Sequence, residues 1–403
     1  MTTRLLQDPP ALTTDPSPVV SRRSLLKGAG VAGATVVVAG TGVLSYRGYD
    51  QAVLGPDHGH AFEAWRHWRS TPGPLGVVGA AILAANPHNT QPWVFEALGT
   101  SIDVYADRSR QTGALDALGR ELHVGLGCAL ENLALAARTR GFEPTVTLLP
   151  AGTGDHVAHV ELAPANAAPD RLYDAIGSRH SNRGPYRAQP VPPALLARLV
   201  DPTGLPGVGV HWLTGTAALA AMGELMIDAA VAITADPQQS RDSFGWFRST
   251  DDAIQRHRDG LTLDGQGLSP LMLTAAKLLP ASSRSSGDAF WVDQTRSVHT
   301  RTAAAYGVIT VVDAGDATSQ LLGGRLLQRV HLTATAEGVA LQHMNQITER
   351  IDRERATEAT ATFAPRLARL LPAGVQPLAA FRVGHAARAA RLSPRRSLAA
   401  VTR

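Results

Sequence analysis

The chain carries one helix twice. Gly127 to Gly141 and Gly324 to Gly338 have the same length and stand 197 residues apart. Leu130 matches Leu327, Leu133 matches Val330, Leu135 matches Leu332 and Ala137 matches Ala334 at that same offset. Around the first copy, Leu122, Leu126, Leu130, Leu133 and Ala137 recur at spacings of three and four, so a helix over Arg120–Arg140 buries one face. Gly141 suits a left-handed residue just past its end. An apolar strand over Val308–Val312 precedes the second copy. Such self-similarity points to two copies of one module in a single chain. The expected fold is α+β, with two tandem similar modules, each a mixed or antiparallel sheet packed around a long central helix.

The length of 403 residues accommodates two ordinary modules, and 44% hydrophobic with 18% charged residues is a globular balance. The net charge of +4 is spread along the chain, and almost all of the basic side is arginine, with Lys27 and Lys277 the lysines. No basic run is interleaved with aromatics, so no nucleic-acid partner is expected. A single cysteine, Cys128, excludes an internal disulfide and lies in an apolar helical pattern that reads as core. His58/His60 and His156/His159 are spaced like metal ligands, but neither has a companion carboxylate or cysteine cluster, and no metal is expected.

Residues 1–20 are rich in Pro, Thr and Asp and read as disordered. Ser21-Arg22-Arg23-Ser24-Leu25-Leu26-Lys27 then precedes the Gly/Ala-rich apolar run Gly28–Leu44, and residues 21–45 resemble a twin-arginine export signal. The apolar run is just short of a comfortable membrane span, and no clear cleavage site follows, so it reads as signal or anchor. Gly28-Ala29-Gly30-Val31-Ala32-Gly33 matches G-x-G-x-x-G, but no strand precedes it, which argues against a dinucleotide site. Residues 46–74 form a connecting segment, with a short helix around Phe62, Trp65 and Trp68. The first module is expected over 75–168 and the second over 169–403, the latter with an insertion at about 236–300.

Two stretches carry chemistry. Ala85-Asn86-Pro87-His88-Asn89-Thr90-Gln91-Pro92-Trp93 ends a helix at Asn86-Pro87 and gathers carboxamides in a turn before a strand. Carboxamides offer paired donors and acceptors, as the edge of a flat heteroaromatic ring requires. In the second stretch, Arg179-His180-Ser181-Asn182-Arg183, alternating Arg179, Ser181 and Arg183 point to one side of an extended segment. Two guanidiniums with a hydroxyl between them match phosphate oxygens.

The first stretch resembles the flavin-contacting loop of the nitroreductase superfamily, roughly Ala-Pro-Ser-x-x-Asn-x-Gln-Pro-Trp. It is closer to the Acg-type FMN-binding branch, in which His precedes the Asn. Asn86 stands at the family's Ser and Ala85 at its Pro, while Asn89 to Trp93 is intact. The arginine stretch resembles the family's first motif, and Ser393-Pro394-Arg395-Arg396-Ser397-Leu398 its closing basic segment. The resemblance covers roughly residues 75–400. It implies an FMN-dependent oxidoreductase that passes two electrons to a nitro compound, quinone or similar acceptor, with NAD(P)H or another electron donor. It implies FMN on Asn86, Pro87, His88, Asn89, Gln91, Arg179, His180, Ser181, Arg183, Arg395 and Arg396, with the chemistry on the flavin and no catalytic side chain named. It also implies a lid over the flavin, formed by the aromatic, loop-rich 236–300 segment. The alternative is a protein that holds FMN with little turnover beneath that lid.

Family members are usually homodimers with flavin at the interface. Here one motif lies in each half, so a pseudo-dimer would build one complete site per chain, in a monomer or a homodimer. Export is expected to be by the twin-arginine machinery, to an extracytoplasmic location. Replacing Arg22 and Arg23 together by lysine is expected to retain the protein in the cytoplasm on fractionation; unchanged export would refute that route.

Overall fold

A computed structural model describes residues 57–152 and 154–403. Residues 1–20, the twin-arginine segment at 21–45 with its Gly28–Gly33 motif, and the first part of the 46–74 connection lie outside the described residues.

The described chain opens with α1 (Glu63–His67) and α2 (Gly73–Ala81). β1 (Trp93–Leu98) and β2 (Ser101–Ala106) form a hairpin in which Trp93 faces Ala106 and Leu98 faces Ser101. Gly99 turns it at φ 61°, a conformation that favours glycine. The long helix α3 (Arg120–Thr139) follows, with Leu122, Leu126, Leu130, Leu133 and Ala137 fully buried as their spacing requires. β3 (Phe142–Leu148) and β4 (His156–Pro164) complete a four-stranded antiparallel sheet of order β1-β2-β4-β3.

α4 (Arg171–Ala175) starts the second half, its N-terminus capped by Asp170, whose carboxylate accepts from Leu172 N. α5 (Pro193–Arg198) and β5 (Val208–Leu213) follow, then α6 (Thr216–Ala235). α6 is long and apolar enough to cross a membrane. Its Met222, Leu225, Met226 and Ala229 pack into a core with Tyr306, Val308 and Ile347.

The segment expected to be loop-rich is largely helical. It holds α7 (Pro237–Gly245), α8 (Asp251–His257), α9 (Pro270–Leu278) and α10 (Arg284–Gln294). Short strands β6 (Phe247–Arg248) and β7 (Leu261–Thr262) pair between them. The physical reason is capping: the side chains of Asp236, Thr250, Ser269 and Ser283 each accept a backbone N–H at the start of one of these helices. β8 (Ala305–Val311), α11 (Ala317–Ala336), β9 (Ala340–His343), α12 (Gln346–Ala356), α13 (Phe363–Ala368) and β10 (Gln376–Gly384) end the second half.

The second sheet is also four-stranded and antiparallel, in the order β5-β8-β10-β9. Counted within each module, both sheets run first-second-fourth-third, and in both the long helix lies between the second and third strands. α3 and α11 are each 20 residues long, and they begin and end 197 residues apart. Each is followed by a left-handed glycine at the same offset, Gly141 and Gly338. The fold is therefore α+β with two similar modules, as the repeated helix implies.

The modules meet where α3 crosses α11. A side chain at Gly127 would strike the carbonyl of Leu321, and one at Gly324 would strike that of Val124. These glycines are repeat partners, so the same position lets both backbones approach. The Cys128 thiol donates to Gly324 O at 3.2 Å, and the Gln328 amide donates to Asn132 Oδ1 at 2.7 Å. Glu131, fully buried, accepts from Arg325 Nε at 3.0 Å and Arg329 Nε at 2.8 Å. The chain end also crosses back: Phe95 N donates to Val401 O at 2.8 Å, and Arg403 N donates to Phe95 O at 3.0 Å.

Alanine normally improves a helix over glycine by up to about 1 kcal/mol. At this crossing the added methyl overpacks, so Gly127→Ala and Gly324→Ala are each expected to destabilise the protein by about 1–3 kcal/mol in urea unfolding. Unchanged or raised stability in both would show that the helices do not need this approach.

Candidate functional site

A cavity of about 260 Å³ lies between the modules. The first module supplies Ala85 to His88 and the α3 residues Glu121, Val124, Gly125 and Cys128. The second supplies Ser181, Arg183, Leu327 and the stretch Gln342 to Gln346 with Glu349. Helices α7, α9 and α10, with the short strands β6 and β7, form the remaining wall, which includes Phe244, Phe247, Leu263, Phe290 and Trp291. One side of the cavity is thus aromatic and apolar, and the other is polar and charged.

The Asn86–Gln91 turn is shaped by unusual backbone. His88, Asn89 and Gln91 have φ of 45°, 56° and 54°. Left-handed non-glycine residues are uncommon, and asparagine tolerates the conformation better than most. Side chains hold it: Asn86 Oδ1 accepts from Gln91 N at 2.7 Å. His88 lines the cavity, its Nε2 lies 3.1 Å from Ser243 Oγ, and burial with the nearby Arg183 lowers its pKa to about 4, so the imidazole is neutral.

Asn89 and Gln91 do not line the cavity. Both are buried and are spent on the protein itself, outside the cavity lining. Asn89 Nδ2 donates to Pro394 O at 2.8 Å and Gly260 O at 3.2 Å, while its Oδ1 accepts from Arg395. Gln91 Nε2 donates to Arg258 O at 2.8 Å, and its Oε1 accepts from Arg396 N at 2.8 Å. A carboxamide that meets a ring edge meets two backbone strands equally well. These two fasten the C-terminal segment and the α8 region to the turn.

The Arg179–Arg183 row also divides. Ser181 and Arg183 line the cavity, and Arg183 Nη1 donates to Gly265 O at 3.2 Å. Arg179 is buried beyond it, donating from Nη2 to Leu83 O at 3.0 Å. Arg395 reaches the same carbonyl at 3.5 Å and Ala84 O at 3.2 Å, with its guanidinium 5.1 Å from the centre of the Trp65 ring. Two buried guanidiniums therefore converge on one carbonyl, and the Nε of each has no partner. Among the described residues, no ion pair engages Arg179, Arg183 or Arg395. Burial lowers the Arg179 pKa to about 10, and burial with the neighbouring Arg179 lowers that of Arg395 well below its ordinary value. His180, edge-on to Trp65 at 4.6 Å, is lowered to about 3 by burial and both arginines. Arg396 lies outside the cavity, on Gln91 O and Ala400 O.

Sequence reasoning missed the far wall. His343, Met344, Asn345 and Gln346 run from the end of β9 into α12, and His343 Nε2 lies 3.1 Å from His331 Nδ1. The available signal was four polar or soft side chains directly after a short apolar strand. Glu121 and Glu349 were hidden because a glutamate in a first helical turn ordinarily reads as dipole compensation. Cys128 lines the cavity as a thiol, its pKa pushed to about 12 by burial. His156 Nε2 and His159 Nδ1 both meet Asp103 Oδ1, at 2.8 and 2.7 Å, away from the cavity.

No family model matches the chain. It is 28% identical over 175 residues to the Mycobacterium tuberculosis protein named "Putative NAD(P)H nitroreductase Rv3131", covering 42% of this chain and 49% of that one. It is 31% identical over 118 residues to the M. tuberculosis protein named "Putative NAD(P)H nitroreductase acg", covering 28% of this chain and 36% of that one. The chain thus spans half or less of the length of the curated relatives it matches. Among solved structures, the FMN-dependent nitroreductase NfnB from Mycobacterium smegmatis in complex with NADPH aligns at TM-score 0.36 and 15% identity, over 58% of this chain and 97% of that one. The chain is thus similar, over less than half of its length, to mycobacterial proteins named putative NAD(P)H nitroreductases, Acg among them.

Proposed function

We propose that the protein is an FMN-dependent oxidoreductase, with one flavin per chain held between the modules. The observation that carries this is the pair of buried guanidiniums, Arg179 and Arg395, on one carbonyl with an unpartnered Nε each and no carboxylate. A buried cation normally needs a counter-charge, and two adjacent ones fit a dianionic phosphate. FMN supplies one, along with an apolar ring system suited to the aromatic wall.

On this reading Arg179 and Arg395 hold the phosphate, with Ser181. The cavity residues Asn86, Pro87, His88 and Arg183 meet the rest of the cofactor. His180 packs the arginines against Trp65, while Asn89, Gln91 and Arg396 secure the turn and the C-terminal segment. Bound FMN supplies two-electron transfer; the protein positions it and excludes water. The relatives' names support NAD(P)H as the electron donor, and the aromatic wall supports a planar acceptor such as a nitro compound or quinone. Helices α7, α9 and α10 wall the cavity, and this favours a second reading, in which they act as a lid over FMN held with little turnover. The Arg22-Arg23 signal is read as sending the loaded protein out of the cytoplasm, which would also separate it from cytosolic NAD(P)H.

Titrating the apoprotein with FMN is expected to give one site per chain. Charged hydrogen bonds are worth about 1.5–3 kcal/mol, so Arg179→Ala is expected to weaken binding by roughly 10- to 150-fold. Asn89→Ala leaves buried partners unpaired and is expected to cost about 1–3 kcal/mol of stability instead. Two flavins per chain, or full affinity in Arg179→Ala, would overturn the composite site. Reduction of the bound flavin by NADPH in stopped flow separates the enzyme from the sequestering protein.

A further inference from the structure

Two buried carboxyl groups, one from each module, line the cavity. Glu121 projects from the first turn of α3 and Glu349 from the first turn of α12; both line the cavity and both are buried. Each carboxyl feels the other, and Asn345, which also lines the cavity, steadies the charged form of Glu121. Asn345 Oδ1 accepts from Ala380 N at 3.0 Å. Glu121 is 6% exposed, and its Oε1 has no hydrogen-bond partner.

The surrounding charges are all committed elsewhere. Asp116 accepts from Glu121 N and Leu122 N, both at 2.9 Å, and so caps α3. Asp352 is bound two-pronged by Arg120, which also donates to Pro377 O at 2.7 Å. On α10, Asp288 is held by Ser240. His88 and His343, which also line the cavity, are neutral through burial, and Arg183 donates to Gly265 O. Among the described residues no ion pair engages Glu121 or Glu349, and two like charges side by side are disfavoured in a buried site. Burial, then the neighbouring Asp116, raises Glu349 to about 8, and burial with Glu349 raises Glu121 well above the carboxylate range.

We propose that Glu121 and Glu349 form one proton-holding acid at the cavity, and that this acid protonates the acceptor as it is reduced. The inference rests on the FMN reading above, with a quinone as the acceptor class. A quinone that takes a hydride from reduced flavin leaves the flavin oxidised and carries negative charge on one oxygen. The carboxyl O–H breaks, its proton bonds to that oxygen to give the neutral hydroquinone, and the electron pair stays on the carboxylate. Water then returns a proton to the pair.

The test uses the full-length FMN-loaded protein, after the flavin titration has settled whether FMN binds. Infrared difference spectra between wild type and Glu349→Gln are expected to show a protonated carboxyl stretch at pH 7 that disappears with an apparent pKa near 8. Glu349→Gln removes that carboxyl and its band, while Glu121→Gln leaves Glu349 buried and keeps the band. With a soluble quinone as acceptor, wild-type kcat is expected to fall tenfold per pH unit above about 8, because the acid must hold its proton to act. In Glu349→Gln kcat is expected to drop roughly 10²- to 10⁴-fold, with the alkaline limb lost and KM for the quinone little changed, whereas Glu121→Gln is expected to keep the alkaline limb. FMN affinity equal to wild type shows that the variants fold. Absence of the protonated band in the FMN-loaded wild type would overturn the proton-holding acid. Wild-type kcat at every pH in Glu349→Gln would overturn delivery of its proton.

Discussion

The crossing of α3 over α11 is the contact on which the rest of the structure depends. Because Gly127 and Gly324 have no side chains, the two backbones approach until each glycine meets the other helix's carbonyl. That closeness brings polar side chains into register between them. Gln328 donates to Asn132 Oδ1 at 2.7 Å, Asn132 donates to Ala80 O at 2.9 Å, and Ala85 N donates to Gln328 Oε1 at 3.2 Å. The chain of bonds ends on both sides of the helix-to-turn junction that leads into Asn86. A shift of the crossing would therefore move the turn. Glu131 with Arg325 and Arg329 adds little net stability as a buried ionic cluster, but breaking it would strand charges, which penalises any other helix register.

Buried arginine alone does not make an anion site. Arg382 is fully buried, yet it donates to Gln342 Oε1 at 2.7 Å, His299 O at 3.0 Å, Thr302 Oγ1 at 2.9 Å and Gly184 O at 2.6 Å, and it lies 4.0 Å over the Tyr186 ring. Its donors are used, and it serves the sheet. Arg179 and Arg395 differ: they share an acceptor, and each keeps an unpartnered Nε. An unmade hydrogen bond at a buried charge costs more than a made one returns, so this arrangement is maintained against its own stability.

The sequence was most legible where periodicity and backbone conformation agree. The 197-residue offset located both long helices, because amphipathic spacing and the closing glycines Gly141 and Gly338 are local properties. The alternating row at Arg179–Arg183 was readable for Ser181 and Arg183 for the same reason. The place of Asn89 and Gln91 was not legible, because a carboxamide has the same donors and acceptors whether it meets a ring or a chain. Only the return of residues 394–396 to the turn decides between them, and that contact spans 305 residues. The helical nature of α7 to α10 was within reach: Asp236-Pro237 and Ser269-Pro270 each place a capping side chain before a proline at the first helical position. Glu121 and Glu349 were out of reach, since nothing local distinguishes an acid at a cavity from one compensating a helix dipole.

Two matching modules would by symmetry make two equivalent cavities, and the structure breaks that symmetry at three places. Helices α7 to α10 arise between β5 and β8, where the first module has only the turn at Gly99-Thr100 between β1 and β2. The C-terminal segment leaves β10 and crosses to the first module, where Val401 to Arg403 bond along the edge of β1. This crossing carries Arg395 to Leu83 O and Ala84 O, beside Arg179. The turn with His88 lies in one half and the arginine row in the other. The asymmetric elements thus meet around one cavity: α7, α9 and α10 wall it, His88 and Arg183 both line it, and the C-terminal crossing sets Arg395 beside Arg179 beyond it.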